Sequence, residues 1–198
     1  MHSNKVIEIF NDSNNHLNKG DGLITKENDK SLWLYSADCI PILIADKKTR
    51  GIGVCHVGLK GIQKNILSEI ITKLESIGCK KYNLIIAMGP AISRKNYQIN
   101  SKDVNSLLTD ITEHRIKEYS SSLYKSQVKD IIPKLRTDLN NKKLLFDIQI
   151  AATLQLISMG LTKNQIHINR LCTFSNPKLF NSWRRDHSLL RQWSCIYS

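Results

Sequence analysis

Two side chains in this sequence could do chemistry together. Cys39 ends one apolar stretch in "SADCIPILIAD" (residues 36–46), and His56 ends another in "GIGVCHVG", just before a glycine-flanked helix start. Both lie at strand ends by pattern, so neighbouring strands would bring them to one pocket at a sheet edge. A thiolate and an imidazole are good zinc ligands, and they also make a nucleophile–base pair. The ordinary alternative is a buried cysteine and a hydrogen-bonded core histidine. "HVGLKGIQ" places Gly58 and Gly61 where a helix begins, so backbone N–H groups there could hold an anion, with Lys60 assisting.

Charge supplies a third group of candidates. The 198 residues carry a formal net charge of +12, unevenly spread. Residues 1–50 hold seven basic and seven acidic side chains, whereas residues 163–198 hold Lys163, Arg170, Lys178, Arg184, Arg185 and Arg191 against Asp186 alone. A basic carboxyl-terminal segment suits phosphate or another anion. Solvated lysines of a Lys-, Asn- and Ile-rich composition are the plain alternative.

The elements that position these groups can be read from the apolar pattern. Short punctuated runs predict buried strands at Lys5–Phe10, Leu32–Tyr35, Ile40–Ala45, Ile52–His56, Asn83–Met88, Gln165–Asn169 and Gln192–Tyr197. Leu59, Ile62, Ile66, Ile70, Leu74 and Ile77 recur at steps of three and four, predicting one helix that stops at Gly78. A second helix is predicted from Asp147, as N-cap, to Gly160, and a third near Asn100 with Asp103 as a weak capping-box partner. Residues 109–143 lack clean periodicity and read as a helical excursion or an insertion. Strands interleaved with helices predict a single α/β domain, with a central mixed β-sheet flanked by helices. No run reaches the roughly 18 apolar residues that span a bilayer. Five cysteines without CxxC spacing point to a reducing cytoplasm rather than a disulfide framework. Cys55, Cys79, Cys172 and Cys195 read as core or strand residues, and His16, His114, His167 and His187 as surface or structural ones.

Five blocks, "ADCIPILIAD", "GVCHVGLKGI", "MGPAISRKNYQI", "FDIQIAATLQLISMG" and "IHINRLCTFSNPKLFNSWRRD", come in one family's order and at about its spacing. They resemble the multicopper polyphenol oxidase (laccase) domain family, also described as zinc-dependent purine nucleoside phosphorylases, over nearly the whole chain from His2 to Arg191. The resemblance implies a metal site of His2, Cys39 and His56, holding zinc, with copper as the other option. Three protein ligands leave a fourth position open, as in catalytic sites. It also implies phosphorolysis of adenosine, inosine, guanosine and methylthioadenosine, with adenosine deamination as a further activity. Purine nucleosides and inorganic phosphate would be the partners, in a cytoplasmic monomer or homodimer. On charge grounds Lys60, Arg184, Arg185 and Arg191 are the candidates for holding phosphate or substrate.

The sequence departs from the family pattern in places. The family's HxGWRG is "HVGLKG" here, so Leu59 and Lys60 replace Trp and Arg, and Lys lacks the planar guanidinium fork. The cysteine-containing stretch after "GPAI" is "SRKN". Members run longer at the amino end, so the domain expected over residues 1–198 lacks the family's first part. The fold of this family is shared with cysteine hydrolases and a deamidating toxin, which makes Cys39 as nucleophile with His56 as base the main alternative. A basic nucleic-acid binder and a polyphenol oxidase are the others. The first lacks a series of stacking aromatics, and the second needs more clustered histidines than the six scattered here.

Overall fold

A computed structural model describes residues 3–10, 19–104, 131–140 and 142–198. The strands among the described residues are β1 (Val6–Glu8), β2 (Gly22–Thr25), β3 (Ser31–Ser36), β4 (Ile40–Asp46), β5 (Ile52–Val57), β6 (Leu84–Met88), β7 (Gln98–Asn100), β8 (Arg136–Asn140), β9 (Lys143–Phe146), β10 (Ile166–Ile168) and β11 (Gln192–Tyr197). Helices are α1 (Leu59–Gln63), α2 (Ile66–Ser76), α3 (Ile148–Ser158) and α4 (Trp183–Asp186).

Six strands form the central sheet in the order β1-β2-β5-β4-β6-β10. Its outer pairs, β1/β2 and β6/β10, are parallel, and its inner pairs are antiparallel. The sheet is therefore mixed, as expected. β3 and β11 pair antiparallel as a separate ribbon, and β7, β9 and β8 form a small third sheet.

Strand period decides which face each side chain of β5 serves. Cys55 and Val57 join the main core with α2 and α3, whereas Ile52 and Val54 pack with Leu32 and Leu34 of β3. His56 shares the parity of Ile52 and Val54, so it lies on the side covered by the β3–β11 ribbon. That alternation places the imidazole at a junction between two sheets.

α2 buries Ile66, Leu67, Ile70, Ile71 and Leu74, and each such side chain stabilises the fold by about 1.5–3 kcal/mol. α3 is buried on every face. Its polar residues bond inward: Thr153 Oγ1 donates to the Gln149 carbonyl at 2.7 Å, and Gln155 Nε2 donates to the Ile62 carbonyl at 2.9 Å. Asp147 caps α3 by accepting from the Ile150 N–H at 2.9 Å.

The single helix expected over Leu59–Ile77 is broken instead. Asn65 adopts φ 58°, a left-handed conformation that Asn tolerates, and Gln155 Nε2 donates to its side-chain oxygen at 3.2 Å. The apolar stripe survives the break because Ile62, Ile66, Ile70 and Leu74 are all buried. Asn100 ends β7 rather than opening a helix, and residues 102–104 are helical. Within the region read as an excursion, a 3₁₀ turn at Ile132–Lys134 leads into the β8–β9 pair. Residues 109–130 and 141 of that region lie outside the described part. Among the described residues no helix is long and apolar enough to cross a membrane.

Candidate active site

The antiparallel register of β4 and β5 sets Ile40 opposite Val57 and Pro41 opposite His56. Cys39, one residue before β4, is thereby brought beside the end of β5. Both residues line one cavity of about 490 Å³, together with Tyr35, Asp38, Tyr97, Arg184 and Arg191.

Asp38 ties the cavity lining to the carboxyl-terminal segment. Its Oδ1 accepts from Thr173 Oγ1 at 2.7 Å and Ser182 Oγ at 2.8 Å, and its Oδ2 accepts from the Arg184 N–H at 2.8 Å. One carboxylate thus clamps the carboxyl-terminal segment across the ADC turn and brings α4 over the cavity. Arg184 Nη1 donates to the Gln98 carbonyl at 3.1 Å, and its guanidinium lies 5.5 Å from the Tyr97 ring centre. Arg191 Nη1 donates to the Ser188 and Leu190 carbonyls at 2.8 and 2.7 Å. Ser36, also on the cavity lining, is 2% exposed, and its hydroxyl has no partner among the described residues. A buried unpaired hydroxyl costs about 1–3 kcal/mol, which a ligand's oxygen would remove.

The two ligand candidates have different electrostatics. Burial pushes the Cys39 thiol up to about 12, the Asp38 and Asp21 carboxylates add to the rise, and Arg191 opposes it. His56 Nδ1 lies 3.3 Å from Asp21 Oδ1. Burial alone would raise the Asp21 carboxyl, but hydrogen bonds from Ser3 and His56 outweigh it and hold the group below its ordinary value.

Other sequence candidates fall elsewhere. Arg185 does not line this cavity. Its guanidinium donates to the Thr173, Phe174 and Phe180 carbonyls at 2.8, 2.8 and 2.9 Å and pairs with Asp186. It is a structural clamp rather than a group held ready for phosphate. Lys60 is exposed on the five-residue α1 and is also absent from the cavity wall. His167 is exposed on β10, and His187 packs edge-on against Trp183 at 4.9 Å. His2, His16 and His114 lie outside the described residues. Cys55, Cys79 and Cys172 are buried, whereas Cys195 is exposed on β11. Asp38, Ser36, Tyr97 and Trp183 escaped sequence reasoning, although Asp38 sits inside the quoted ADC block. Asp21 had a signal of its own, a carboxylate between two glycines.

The donors suit a metal ion chemically. A thiol that does not ionise alone at neutral pH becomes a thiolate beside a bound cation. An imidazole backed by a carboxylate is the usual form of a metal-ligating histidine. Among the described residues no three His, Cys, Asp or Glu side chains gather as a metal site.

A mixed α/β sheet thus carries Cys39, His56, Arg184 and Arg191 on the lining of one cavity. A profile of the family described as multi-copper polyphenol oxidoreductase laccase matches residues 1–198, and the chain belongs to that family. It is 30% identical over 185 residues to a protein of Synechocystis sp. named purine nucleoside phosphorylase, covering 90% of this chain and 67% of the relative. A Rickettsia prowazekii protein of the same name is 30% identical over 193 residues, with 96% and 70% covered. In structure the chain is similar to YlmD from Geobacillus stearothermophilus, with a TM-score of 0.81 at 23% identity, covering 99% of this chain and 70% of that one.

Proposed function

We propose that the chain is a metal-dependent purine nucleoside phosphorylase whose site is the cavity of Cys39, His56, Arg184 and Arg191. The observation that carries this reading is that Cys39, His56 and two arginines line one cavity, in a chain similar to proteins of that name. Zinc held by His2, Cys39 and His56 would supply Lewis acidity.

The chain's own groups account for the rest. Arg184 and Arg191 hold inorganic phosphate through charge-assisted hydrogen bonds, and the Ser36 hydroxyl donates a further one. Arg184 is already fixed by Gln98 and Tyr97, so little side-chain freedom is lost when phosphate binds. A phosphate oxygen attacks the anomeric carbon of the nucleoside while the glycosidic C–N bond breaks. The bond's electron pair leaves with the purine, which takes up a proton, and the sugar remains as its 1-phosphate, ribose 1-phosphate from inosine. Adenosine, inosine, guanosine and methylthioadenosine are the expected substrates, and adenosine deamination is a secondary activity of the same reading. Five free cysteines suit a cytoplasmic setting.

The cysteine hydrolase alternative needs Cys39 as a thiolate without metal. Burial raises the Cys39 thiol, so that mechanism would depend on His56 to take the thiol proton. The experiment that decides is product analysis with inosine: hypoxanthine and ribose 1-phosphate should form at a rate that rises with phosphate and stops on chelation. Base release independent of both phosphate and metal would overturn the phosphorylase and favour the thiol mechanism.

A further inference from the structure

Asp21 stands just before β2, and the β2–β5 register places Gly22 opposite Cys55, which brings Asp21 level with His56. The backbones meet there too, the His56 N–H donating to the Asp21 carbonyl at 2.8 Å. The Asp21 side chain is 6% exposed and divides its two oxygens between separate tasks. Oδ1 faces His56 Nδ1 at 3.3 Å, while Oδ2 accepts from both the backbone N–H and the hydroxyl of Ser3, each at 2.6 Å.

The flanking glycines make this geometry possible. The N–H groups of Asp21 and Gly22 both donate to the Lys5 carbonyl, at 3.0 and 3.2 Å. A Cβ at position 20 would lie 2.8 Å from that carbonyl oxygen, and one at position 22 would lie 2.9 Å from Val6 Cγ2. Only glycine at both positions lets the amino-terminal strand close onto the carboxylate.

An ionised carboxylate only accepts, so the Nδ1 that faces it must carry the ring proton, and Nε2 is then the nitrogen with the lone pair. Ser3 is the residue that follows His2 in the chain. We propose that Asp21 is the positioning residue of the site: one oxygen fixes His56 as its Nδ1–H tautomer with Nε2 as donor, and the other fastens the backbone next to His2. Its consequence for metal binding rests on the metal reading given above, whereas the tautomer of His56 does not.

The test uses the full chain labelled with ¹⁵N-histidine, stripped of metal, at a pH well above the ordinary imidazole value of about 6.5. The His56 resonances are identified by their absence from His56→Gln. Wild-type protein should show Nδ1–H at His56, and Asp21→Ala should shift the ring towards Nε2–H, the form a free imidazole prefers. In zinc titrations against a competing chelator, Asp21→Ala should bind about 10–100-fold more weakly. Asp21→Asn, which keeps an acceptor oxygen for Nδ1–H, should retain the tautomer and recover part of the affinity.

A wild-type His56 found as Nε2–H overturns the proposal, whether or not any variant folds. So does an unchanged tautomer in a folded Asp21→Ala, or a switched tautomer with unaltered zinc affinity. A wild-type chain that takes up no zinc, with the tautomer shift intact, overturns the metal reading while the ring-positioning role stands.

Discussion

Replacing Asp38 with alanine should cost the fold about 4 to 5 kcal/mol, because three hydrogen bonds to one charged group are lost together. A bond to an ionised partner contributes about 1.5 to 3 kcal/mol, and bonds within one network do not add fully, so the lower value is used for each. Two of the donors make the loss worse than a simple deletion. Thr173 is 0% and Ser182 1% exposed, so water cannot readily replace the carboxylate on either hydroxyl. In a chain of this size the loss lowers the melting temperature by roughly 10 to 15 °C. Urea unfolding of wild type, Asp38→Ala and Asp38→Asn measures it, and Asp38→Asn, which keeps one acceptor oxygen, should lose about half as much. The same variants should bind phosphate more weakly, since the Arg184 backbone is no longer held over the cavity. An Asp38→Ala protein within about 1 kcal/mol of wild type would refute the reasoning, because the clamp would then be replaceable by solvent.

Two further outcomes separate the arginines and the carboxylates. Arg184→Ala and Arg191→Ala should each raise the KM for phosphate about tenfold, the equivalent of one charge-assisted hydrogen bond. Arg185→Ala should leave that KM unchanged and lower the melting temperature instead; phosphate kinetics beside thermal melts check both. Burial alone would raise the Asp46 carboxyl, but the N–H groups of Lys80, Lys48 and Thr49 outweigh it and hold it below its ordinary value. A folded-state value below the unfolded one gives stability that is complete above about pH 3.9 and is lost as the pH falls through the folded value. Urea midpoints followed downward in pH should therefore fall less steeply in Asp46→Asn; identical slopes would remove Asp46 as a cause.

Much of this architecture was legible in the residues because burial leaves a periodic trace. The seven strands anticipated from apolar runs are all present, and the Leu59–Ile77 stripe faces the core even though the helix breaks at Asn65. β2 went unread because "GLIT" offers only two large apolar residues between glycines and a threonine. β8 and β9 went unread because their exposed, charged positions hide the alternation.

For the site, the sequence by itself determined the identities: a cysteine and a histidine at two strand ends, and arginines gathered in the last segment. Only the tertiary structure decided which of those arginines face the Cys–His pair. Arg184 and Arg185 are adjacent, and on α4 successive side chains diverge by about 100°, so one reaches the cavity while its neighbour binds three carbonyls. Asp21 and Asp38 were likewise invisible as organisers. Their partners lie 35 residues away at His56 and 135 to 146 away at Thr173, Ser182 and Arg184, separations that only strand register and chain closure bring within hydrogen-bond range.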